Sequence, residues 1–122
     1  MNNVIESRLD YKSATATENA RQMKQLVDQC KQVETEIELG GGESNIEKQH
    51  QKNRLTARER INLLKDDDSS FFEIGKYAAY NMYEEYGGAA SAGCVAGLAY
   101  VEKKLVMIIA NDATVKAGAF FP

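Results

Sequence analysis

The chain has 122 residues, enough for one domain of modest size, and its 43% hydrophobic and 27% charged residues are typical of a globular protein. Its net charge of −3 argues against non-specific nucleic-acid binding, which requires a basic surface. The sequence contains no long apolar run and no positively charged leader followed by apolar residues, so we expect neither a membrane span nor a secretory signal.

The two cysteines, Cys30 and Cys94, are far apart in the sequence and lack the spacing of a metal site. Disulfides are rare in reducing compartments, and nothing else in the sequence indicates secretion. We therefore predict two buried, reduced thiols rather than a disulfide. Because no transit peptide is visible either, the predicted location is the cytoplasm, or the mitochondrial matrix if the source is eukaryotic.

The first predicted element is a long helix that begins near Thr15. Its apolar residues recur at spacings of three and four, which is typical of an amphipathic helix and close to a heptad seam. These residues are Ala16, Ala20, Met23, Val27, Cys30, Val33 and Ile37. Thr15 with Glu18 has the spacing of a capping box, and Gly40–Gly42 ends the helix because glycine suits the left-handed C-terminal position. We interpret this helix as a packing or subunit-docking element.

Two shorter helices follow. A polar helix is predicted from residue 43 to about residue 52, and Asn53 can close it since asparagine tolerates a positive φ. Thr56 and Glu59 then form a second capping box, which predicts the start of a third helix. Three apolar residues of that helix are predicted to share one face. They are Ala57, Ile61 and Leu64.

The third helix is broken by Asp66–Asp68, because three adjacent carboxylates repel one another and favour a turn. No further ligands follow at suitable spacing, so we predict no metal site there.

Residues 71–74 are aromatic and β-like. Tyrosine at every third position from Tyr77 to Tyr86 favours a helical or turn-rich packing face over a stacking platform for bases. Residues 87–93 are glycine-rich but lack a P-loop or GxGxxG pattern, so we interpret them as a mobile connection.

Two strands are predicted next, at residues 94–101 and 105–110, joined by a tight turn at residues 102–104. The second strand shows no polar alternation, which indicates burial on both faces. One hairpin cannot cover both of its own faces, so we expect part of the covering layer to lie outside this chain. Pro122 is predicted to begin a further helix, because proline is common at the first helical position.

The sequence shows no nucleophile–base pair. His50 is the only histidine and lies in the polar second helix, where a solvent-facing position is more common than a catalytic one. Cys94 has no nearby basic residue that would activate its thiol. Composition and spacing therefore indicate no catalytic residue.

A positive segment between residues 48 and 60 is the strongest local feature of this acidic chain. Arginine forms two-pronged hydrogen bonds with phosphate, and coenzyme A carries a pyrophosphate and a ribose phosphate. Binding of coenzyme A is one interpretation of this segment. A solvated helix face with i,i+4 ion pairs is the other, and it explains the charges more simply. The cations are Lys48, Lys52, Arg54, Arg58 and Arg60.

As a continuous string, residues 40–122 resemble one protein family. The two most specific strings are LTARERI at residues 55–61 and ANDATVKAGA at residues 110–119. Shorter matches are GGE at 41–43, IEKQH at 46–50, FFE at 71–73 and MYEEYGG at 82–88. Together these strings resemble the start of the β (carboxyltransferase) subunits of propionyl-CoA and methylcrotonoyl-CoA carboxylases. On this basis the chain is interpreted as an N-terminal fragment of such a subunit.

The resemblance implies an α/β fold, in which N-terminal helices precede the first β-hairpin of a crotonase-like (ClpP/crotonase) spiral of ββα units, here truncated. It implies a helical segment at residues 1–65 and the start of the carboxyltransferase N-terminal domain at residues 66–122. The implied activity is transfer of a carboxyl group from carboxybiotin to the α-carbon of an acyl-CoA of the methylcrotonoyl-CoA or propionyl-CoA type. The fragment alone is expected to be inactive, since the oxyanion-hole segments of the family lie beyond it.

The resemblance also implies partners and a site. Biotin is carried by a partner, the biotin carboxylase/biotin carboxyl carrier subunit, acyl-CoA is the substrate, and the full-length protein is expected to form a hexamer. Neither a metal, a nucleic acid nor a membrane is expected to bind this segment, and no residue is assigned a catalytic role. The residues expected to contact coenzyme A or substrate are Arg54, Arg58, Lys116, Gly118 and Ala119.

Two alternatives stay open. A subunit of a biotin-dependent acyl-CoA decarboxylase, of the glutaconyl-CoA type, runs the same transfer in reverse, and this segment does not separate it from a carboxylase. A non-catalytic helical interaction module is the other alternative, and the apolar stripe from Ala16 to Ile37 supports it.

Overall fold

The computed structural model describes residues 5–119. In chain order its elements are helix α1 (Ala14–Glu38), helix α2 (Glu43–His50), helix α3 (Ala57–Leu64), strand β1 (Phe72–Ile74), strand β2 (Cys94–Val101) and strand β3 (Lys104–Asn111). Short 3₁₀ turns lie at Glu84–Tyr86, Ala90–Gly93 and Lys116–Gly118. The helix predicted to begin at Pro122 lies outside the described residues. The chain divides into two compact units, one up to Val33 and one from Glu34 onward.

The first unit contains most of α1, and the start of this helix differs from the prediction. Ser13 caps it, because its hydroxyl accepts a hydrogen bond from the N–H of Ala16 at 3.2 Å. The predicted capping box of Thr15 and Glu18 is therefore wrong. The carboxylate of Glu18 instead forms two hydrogen bonds with Arg21, one turn along the helix, at 2.8 and 2.6 Å.

The apolar stripe of α1 is exposed within the first unit. Met23 and Val27 leave 60% and 42% of their surface exposed, so a docking role for this stripe stays a prediction.

Cys30 belongs to the same stripe and is exposed, while Cys94 is half-buried, so the prediction of two buried thiols is wrong. Neither cysteine forms a disulfide in the described part of the chain. None of the helices within residues 5–119 combines the length and apolarity that crossing a bilayer requires.

The helices of the second unit begin and end with the predicted chemistry. Gly40 and Gly42 follow α1 with φ of 56° and 90°, and Asn53 follows α2 with φ of 53°. The capping box of Thr56 and Glu59 is present in both directions. The Thr56 hydroxyl accepts the N–H of Glu59 at 3.3 Å, and the Glu59 carboxylate accepts the N–H of Thr56 at 2.7 Å. Local hydrogen bonding therefore determines where α3 begins.

The core of the second unit lies between α3 and one face of a three-stranded sheet. Ala57 and Ile61 are buried, with 1% and 2% exposure. Leu64 has the spacing predicted for the same face, but it ends the helix and is 53% exposed, so it adds little to the core. The sheet contributes Val95, Ala99 and Ile108, with Phe71, Val101, Val106 and Ala110 packed against them.

The sheet is antiparallel with strand order β1–β2–β3. The turn between β2 and β3 contains Glu102 and Lys103 at φ of 50° and 61°, a conformation for which glycine is more usual. The two carboxylate oxygens of Asp66 accept the N–H groups of Glu102 and Lys103, each at 2.8 Å. The acidic segment after α3 therefore stabilises the hairpin turn as well as ending the helix.

The opposite face of the sheet is apolar and open among residues 5–119. Met107 and Ile109 are 54% and 67% exposed, so β3 is buried on one face only, and the predicted burial on both faces is not found in the described residues. This exposure agrees with the expectation that one hairpin cannot cover both of its faces. We name the surface the open sheet face, and the strand register assigns to it Phe72, Ile74, Ala96, Leu98, Tyr100, Leu105, Met107 and Ile109.

The isolated chain is expected to bind a hydrophobic dye or to self-associate through the open sheet face, because a contiguous apolar patch of this kind is rarely left in water. Ile109→Thr keeps a β-branched residue in the strand and should lower dye fluorescence and the sedimentation coefficient. Leu63→Thr, which changes an apolar residue on α3 that is 76% exposed, serves as the control and should leave both unchanged. A monomeric wild-type chain that binds no dye and unfolds cooperatively would contradict this prediction.

The connection between β1 and β2 consists of turns rather than a regular helix. The rings of Tyr77 and Tyr80 pack edge to face with centroids 6.1 Å apart, in agreement with a packing role for the tyrosines. The glycine-rich segment is packed as well, which corrects its interpretation as a mobile connection. Ala89 and Ser91 are 2% and 5% exposed, and the Ser91 hydroxyl donates to the carbonyl of Lys76 at 3.0 Å.

Candidate functional site

A cleft of about 270 Å³ lies between α2 and the turn that follows β3. Three lysines from two distant parts of the sequence line it. Lys48 lies in α2 and Lys52 just beyond that helix, whereas Lys116 follows β3. The remaining lining residues carry no charge. They are Asn45, Gln49, Ala113, Thr114 and Ala117. We name this feature the lysine cleft.

Side-chain amides hold the walls of the lysine cleft. Asn45 Nδ2 donates to the carbonyl of Gly41 at 2.9 Å, and Gln49 Nε2 donates to the carbonyl of Ala113 at 3.5 Å. The two amides are one helical turn apart, so they lie on the same side of α2. Lys48 Nζ donates to Asn45 Oδ1 at 3.2 Å. Helix α2 is therefore attached to the glycine turn before it and to the turn after β3.

A buried network of hydrogen bonds fixes the turn between β3 and Lys116. Asp112 and Thr114 are 6% and 4% exposed. Asp112 Oδ1 accepts the N–H and the hydroxyl of Thr114 at 2.9 and 2.6 Å, and Thr114 Oγ1 accepts the N–H of Gly41 at 3.0 Å. The Asp-Ala-Thr string carries the signal of a local turn. Gly41 is 73 positions away in the sequence, so only the folded chain brings the three residues together.

A second, smaller cleft of about 60 Å³ adjoins the lysine cleft at Lys116. Lys116 Nζ lies 3.4 Å from the position that a Cβ on Gly87 would occupy. We name this feature the glycine cleft, because four glycines line it. Its lining residues are Gly40, Gly41, Asn45, Gly87, Gly88, Thr114, Val115 and Lys116.

The backbone next to the clefts is strained. Lys116 and Ala117 have φ of 45° and 56°, and Gly118 has φ of 87°. A left-handed conformation costs about 1–2 kcal/mol for a residue other than glycine, and such strain concentrates at functional sites. The carbonyl oxygen of Ala119 lies 2.8 Å from the position of a Cβ on Gly93. Ala119 therefore lies beside the glycine-rich segment, and neither Gly118 nor Ala119 lines either cleft.

The arginines of the positive segment do not line the lysine cleft. Arg58 donates to both carboxylate oxygens of Glu73 at 2.7 and 2.8 Å, and Arg60 donates to the carbonyl of Asn111 at 3.1 Å. Arg54 is exposed. The folded chain thus brings the two lysines of the segment to Lys116 and directs two arginines to internal partners. A contribution of Arg54 or Arg58 to coenzyme A binding stays a prediction.

Glu73 is a buried anion that lies between two cations. Its side chain is 7% exposed, and Lys76 Nζ lies 3.6 Å from its Oε2. Burial alone lowers the pKa of Lys76, but the carboxylates of Glu38, Glu73 and Glu34 outweigh burial and raise that pKa above its ordinary value. Arg58 Nε is buried and has no hydrogen-bond partner within residues 5–119. The pairing with Glu73 is therefore the main compensation for burying Arg58.

His50 is part of a helix-capping arrangement rather than a catalytic pair. Its Nε2 lies 2.9 and 3.0 Å from the two carboxylate oxygens of Glu59. The N–H of Thr56, followed by the contact with His50, holds the pKa of Glu59 below its ordinary value. No cluster of three or more His, Cys, Asp or Glu in the described ranges is arranged to hold a metal ion.

The carboxyl transferase domain family matches residues 48–122 of this chain. The matched stretch contains both specific strings, helix α3, the whole sheet and the three lysines of the cleft. The chain belongs to the carboxyl transferase domain family, as its resemblance to carboxylase β subunits predicted.

Individual relatives come from carboxylases, decarboxylases and transcarboxylases. The probable mitochondrial methylcrotonoyl-CoA carboxylase beta chain of Drosophila melanogaster is 40% identical over 98% of this chain and 21% of its own length. The methylmalonyl-CoA decarboxylase subunit alpha of Veillonella parvula is 36% identical over 68% of this chain and 17% of its own length. The crystal structure of the 12S transcarboxylase hexamer, with methylmalonyl-coenzyme A and methylmalonic acid bound, covers 80% of this chain and 19% of its own at a TM-score of 0.72 and 33% identity.

These comparisons confirm the predicted fold class. The solved neighbours are crotonase-fold carboxyltransferases, and the present chain has the α/β composition predicted for the start of that fold. Its helices precede a hairpin that carries one additional short strand, β1. The chain spans about a fifth of the length of the relatives it matches.

Proposed function

We propose that this chain is part of the carboxyltransferase subunit of a biotin-dependent acyl-CoA carboxylase. The complete subunit moves a carboxyl group from carboxybiotin to the α-carbon of an acyl-CoA of the methylcrotonoyl-CoA or propionyl-CoA type. The observation that carries this proposal is the family match over residues 48–122. A methylcrotonoyl-CoA carboxylase relative that aligns with 98% of the chain supports the methylcrotonoyl-CoA type in particular.

Within that subunit, the chain supplies a folded scaffold and the lysine cleft rather than a reacting side chain. Its single histidine is paired with Glu59, so the described residues offer no histidine base beside a nucleophile. A reaction through a thioester enolate does not require one, because preorganised backbone N–H groups can stabilise the developing oxyanion. Because the 122-residue chain spans only about a fifth of the length of its relatives, we expect it alone to catalyse no carboxyl transfer.

The partners proposed for the whole protein follow from the same role. Biotin arrives on the biotin carboxylase/biotin carboxyl carrier subunit, and we assign no residue of this chain to it. The hexamer described for the 12S transcarboxylase supports a hexameric assembly of the complete subunit. The proposed location is the cytoplasm, or the mitochondrial matrix in a eukaryote. The division into a helical segment at residues 1–65 and the start of the carboxyltransferase domain at residues 66–122 is part of this proposal.

A decarboxylase subunit is the second candidate function. The similarity to the methylmalonyl-CoA decarboxylase subunit of Veillonella parvula favours it. Both reactions move a carboxyl group between biotin and an acyl-CoA, and they differ in direction. The same scaffold and the same coenzyme A contacts therefore serve either one.

The test is a carboxyl-transfer assay on the complete subunit together with its biotin-carrying partner. Labelled bicarbonate and ATP should give acid-stable label on methylcrotonoyl-CoA or propionyl-CoA, and the 122-residue chain in place of the subunit should give none. Transfer from a carboxylated acyl-CoA to free biotin, without the forward reaction, would establish the decarboxylase instead. Absence of transfer in both directions would overturn the proposal.

A further inference from the structure

We propose that the exposed part of α1 pairs with the same helix of a second copy of this chain, in antiparallel orientation. Every residue from Thr17 to Gln32 is exposed, so roughly four turns of the helix are left unpacked in the described part of the chain. Most of the stability of a helix in a protein comes from packing of its apolar face. The apolar face of α1 therefore requires a covering element from outside residues 5–119.

The apolar residues of this exposed part form a narrow seam. Ala20, Met23, Val27 and Cys30 recur at spacings of four and three, the pattern of the contact positions of a coiled coil. We name these four residues the helix seam. Leu26 lies beside it and is 56% exposed. A strip of this kind is narrower than the face of a helix that packs on a globular core, so it fits a single partner helix.

The helix seam is complementary to itself when two copies run in opposite directions. With a two-fold axis beside Gln25, Ala20 faces Cys30 of the second copy, and Met23 faces Val27 of the second copy. Small side chains then meet small ones, and large side chains meet large ones. Leu26 of both helices flanks the same side of the two central layers. A two-fold interface requires this self-complementarity, because the same surface is used by both copies.

The charges of α1 favour the antiparallel arrangement over the parallel one. Before Gln25 the cations Arg21 and Lys24 outnumber the carboxylate of Glu18. After Gln25 the carboxylates outnumber the single cation Lys31, and Lys76 offsets only part of the excess. These carboxylates are Asp28, Glu34, Glu36 and Glu38. A parallel pair would bring two acidic ends together, whereas an antiparallel pair places each acidic end beside a basic one and opposes the helix dipoles.

Disulfide cross-linking of the full 122-residue chain tests the register. Cys94→Ser first removes the other native thiol. Adding Ala20→Cys should then give a covalent dimer under mild oxidation, with position 20 of one copy linked to Cys30 of the other. Within one helix these positions are about 15 Å apart, too far for an intrachain disulfide. The Cys94→Ser chain alone should give no covalent dimer, because the two Cys30 thiols of an antiparallel pair are also about 15 Å apart.

Gln25→Cys in the same Cys94→Ser chain is the matched control. Gln25 is two positions from both Met23 and Val27, which is about 200° around the helix, so it lies on the side opposite the seam. It should give no covalent dimer. Non-reducing electrophoresis measures the yield, and mass spectrometry of the digested dimer identifies the linked positions.

A second measurement does not depend on oxidation. Val27→Lys should raise the dissociation constant of the dimer by about tenfold or more, because it places a charge in the seam. Gln25→Lys adds the same charge on the opposite side and should leave the constant unchanged. Sedimentation equilibrium measures both, in chains that also carry Ile109→Thr so that association through the open sheet face does not mask the effect.

Three outcomes would overturn the proposal. Covalent dimers formed through Cys30 alone would establish a parallel pair. A yield with Ala20→Cys no higher than with Gln25→Cys would assign the helix seam to a different covering element. A cross-link that forms in the 122-residue chain but not in the complete subunit would show that the rest of the subunit covers the seam. None of these measurements involves carboxyl transfer, so they are independent of the proposed function.

Discussion

Gly41→Ala is expected to destabilise the second unit by about 3 kcal/mol or more, the upper part of the range for overpacking a buried site. A Cβ on Gly41 would lie 1.8 Å from the carbonyl oxygen of Thr114 and 2.5 Å from its carbonyl carbon. These are backbone atoms, so no side-chain rotation can relieve the clash. Separating the two segments would also remove the hydrogen bond from the Gly41 N–H to the Thr114 hydroxyl. Urea unfolding followed by circular dichroism measures the loss.

Gly42→Ala is the matched control for this prediction. Gly42 has φ of 90°, but a Cβ placed on it meets nothing within 4 Å. The substitution should therefore cost only the left-handed backbone strain, about 1–2 kcal/mol. Because Gly41 itself does not have a positive φ, a loss in Gly41→Ala no larger than that in Gly42→Ala would show that the backbone shifts to relieve the contact with Thr114.

Glu73→Gln is expected to destabilise the second unit by about 2–4 kcal/mol at neutral pH, since breaking a largely buried ion pair leaves an uncompensated charge. The Arg58 and Glu73 side chains are 22% and 7% exposed, and two hydrogen bonds join them. Glutamine keeps the shape of the side chain but removes the negative charge. Both Arg58 and the nearby Lys76 would lose their buried counter-charge. The measurement is the free energy of unfolding from urea titration.

Glu38→Gln is the control, because it removes a carboxylate that also pairs with Lys76 but is 46% exposed. Its effect should stay below about 1 kcal/mol, as for other exposed ion pairs. The combined variant Arg58→Met with Glu73→Leu should recover much of the lost stability, since an apolar pair replaces a buried ionic one. A loss of less than 1 kcal/mol in Glu73→Gln would show that this pair is effectively solvated.

These predictions separate two roles within the positive segment. Arg58 belongs to the folded scaffold, because its guanidinium is committed to Glu73. Lys48 and Lys52, together with Lys116, line a cleft that contains no carboxylate. The sequence predicted a local excess of positive charge but treated all five cations as one group. Sequence spacing could not separate the arginine from the lysines, because the role of each depends on a residue distant in sequence. That residue is Glu73 for Arg58 and Lys116 for the two lysines.

Much of the secondary structure was predictable because it depends on short-range interactions. The Thr56–Glu59 capping box, the positive φ of Asn53, the glycine turn after α1 and the β2–β3 hairpin are formed by residues within a few positions of one another. The start of α1 was predicted less well, because Ser13 and Thr15 both satisfy the local rule and only the hydrogen bond of Ser13 to Ala16 distinguishes them. The open sheet face was also foreseen, since a hairpin has two faces and one layer of helix covers one of them.

The sequence by itself therefore determined the helices, the hairpin and, through LTARERI and ANDATVKAGA, the family. Tertiary structure alone decided which cations line one cleft and which glycine is required for packing. The physical reason is the distance along the chain between partners. Gly41 and Thr114 are joined by a hydrogen bond across 73 positions, and Lys48 and Lys52 line the same cleft as Lys116 only because α2 packs on the turn after β3. No local pattern encodes such a pairing, because it is formed by the packing of whole elements.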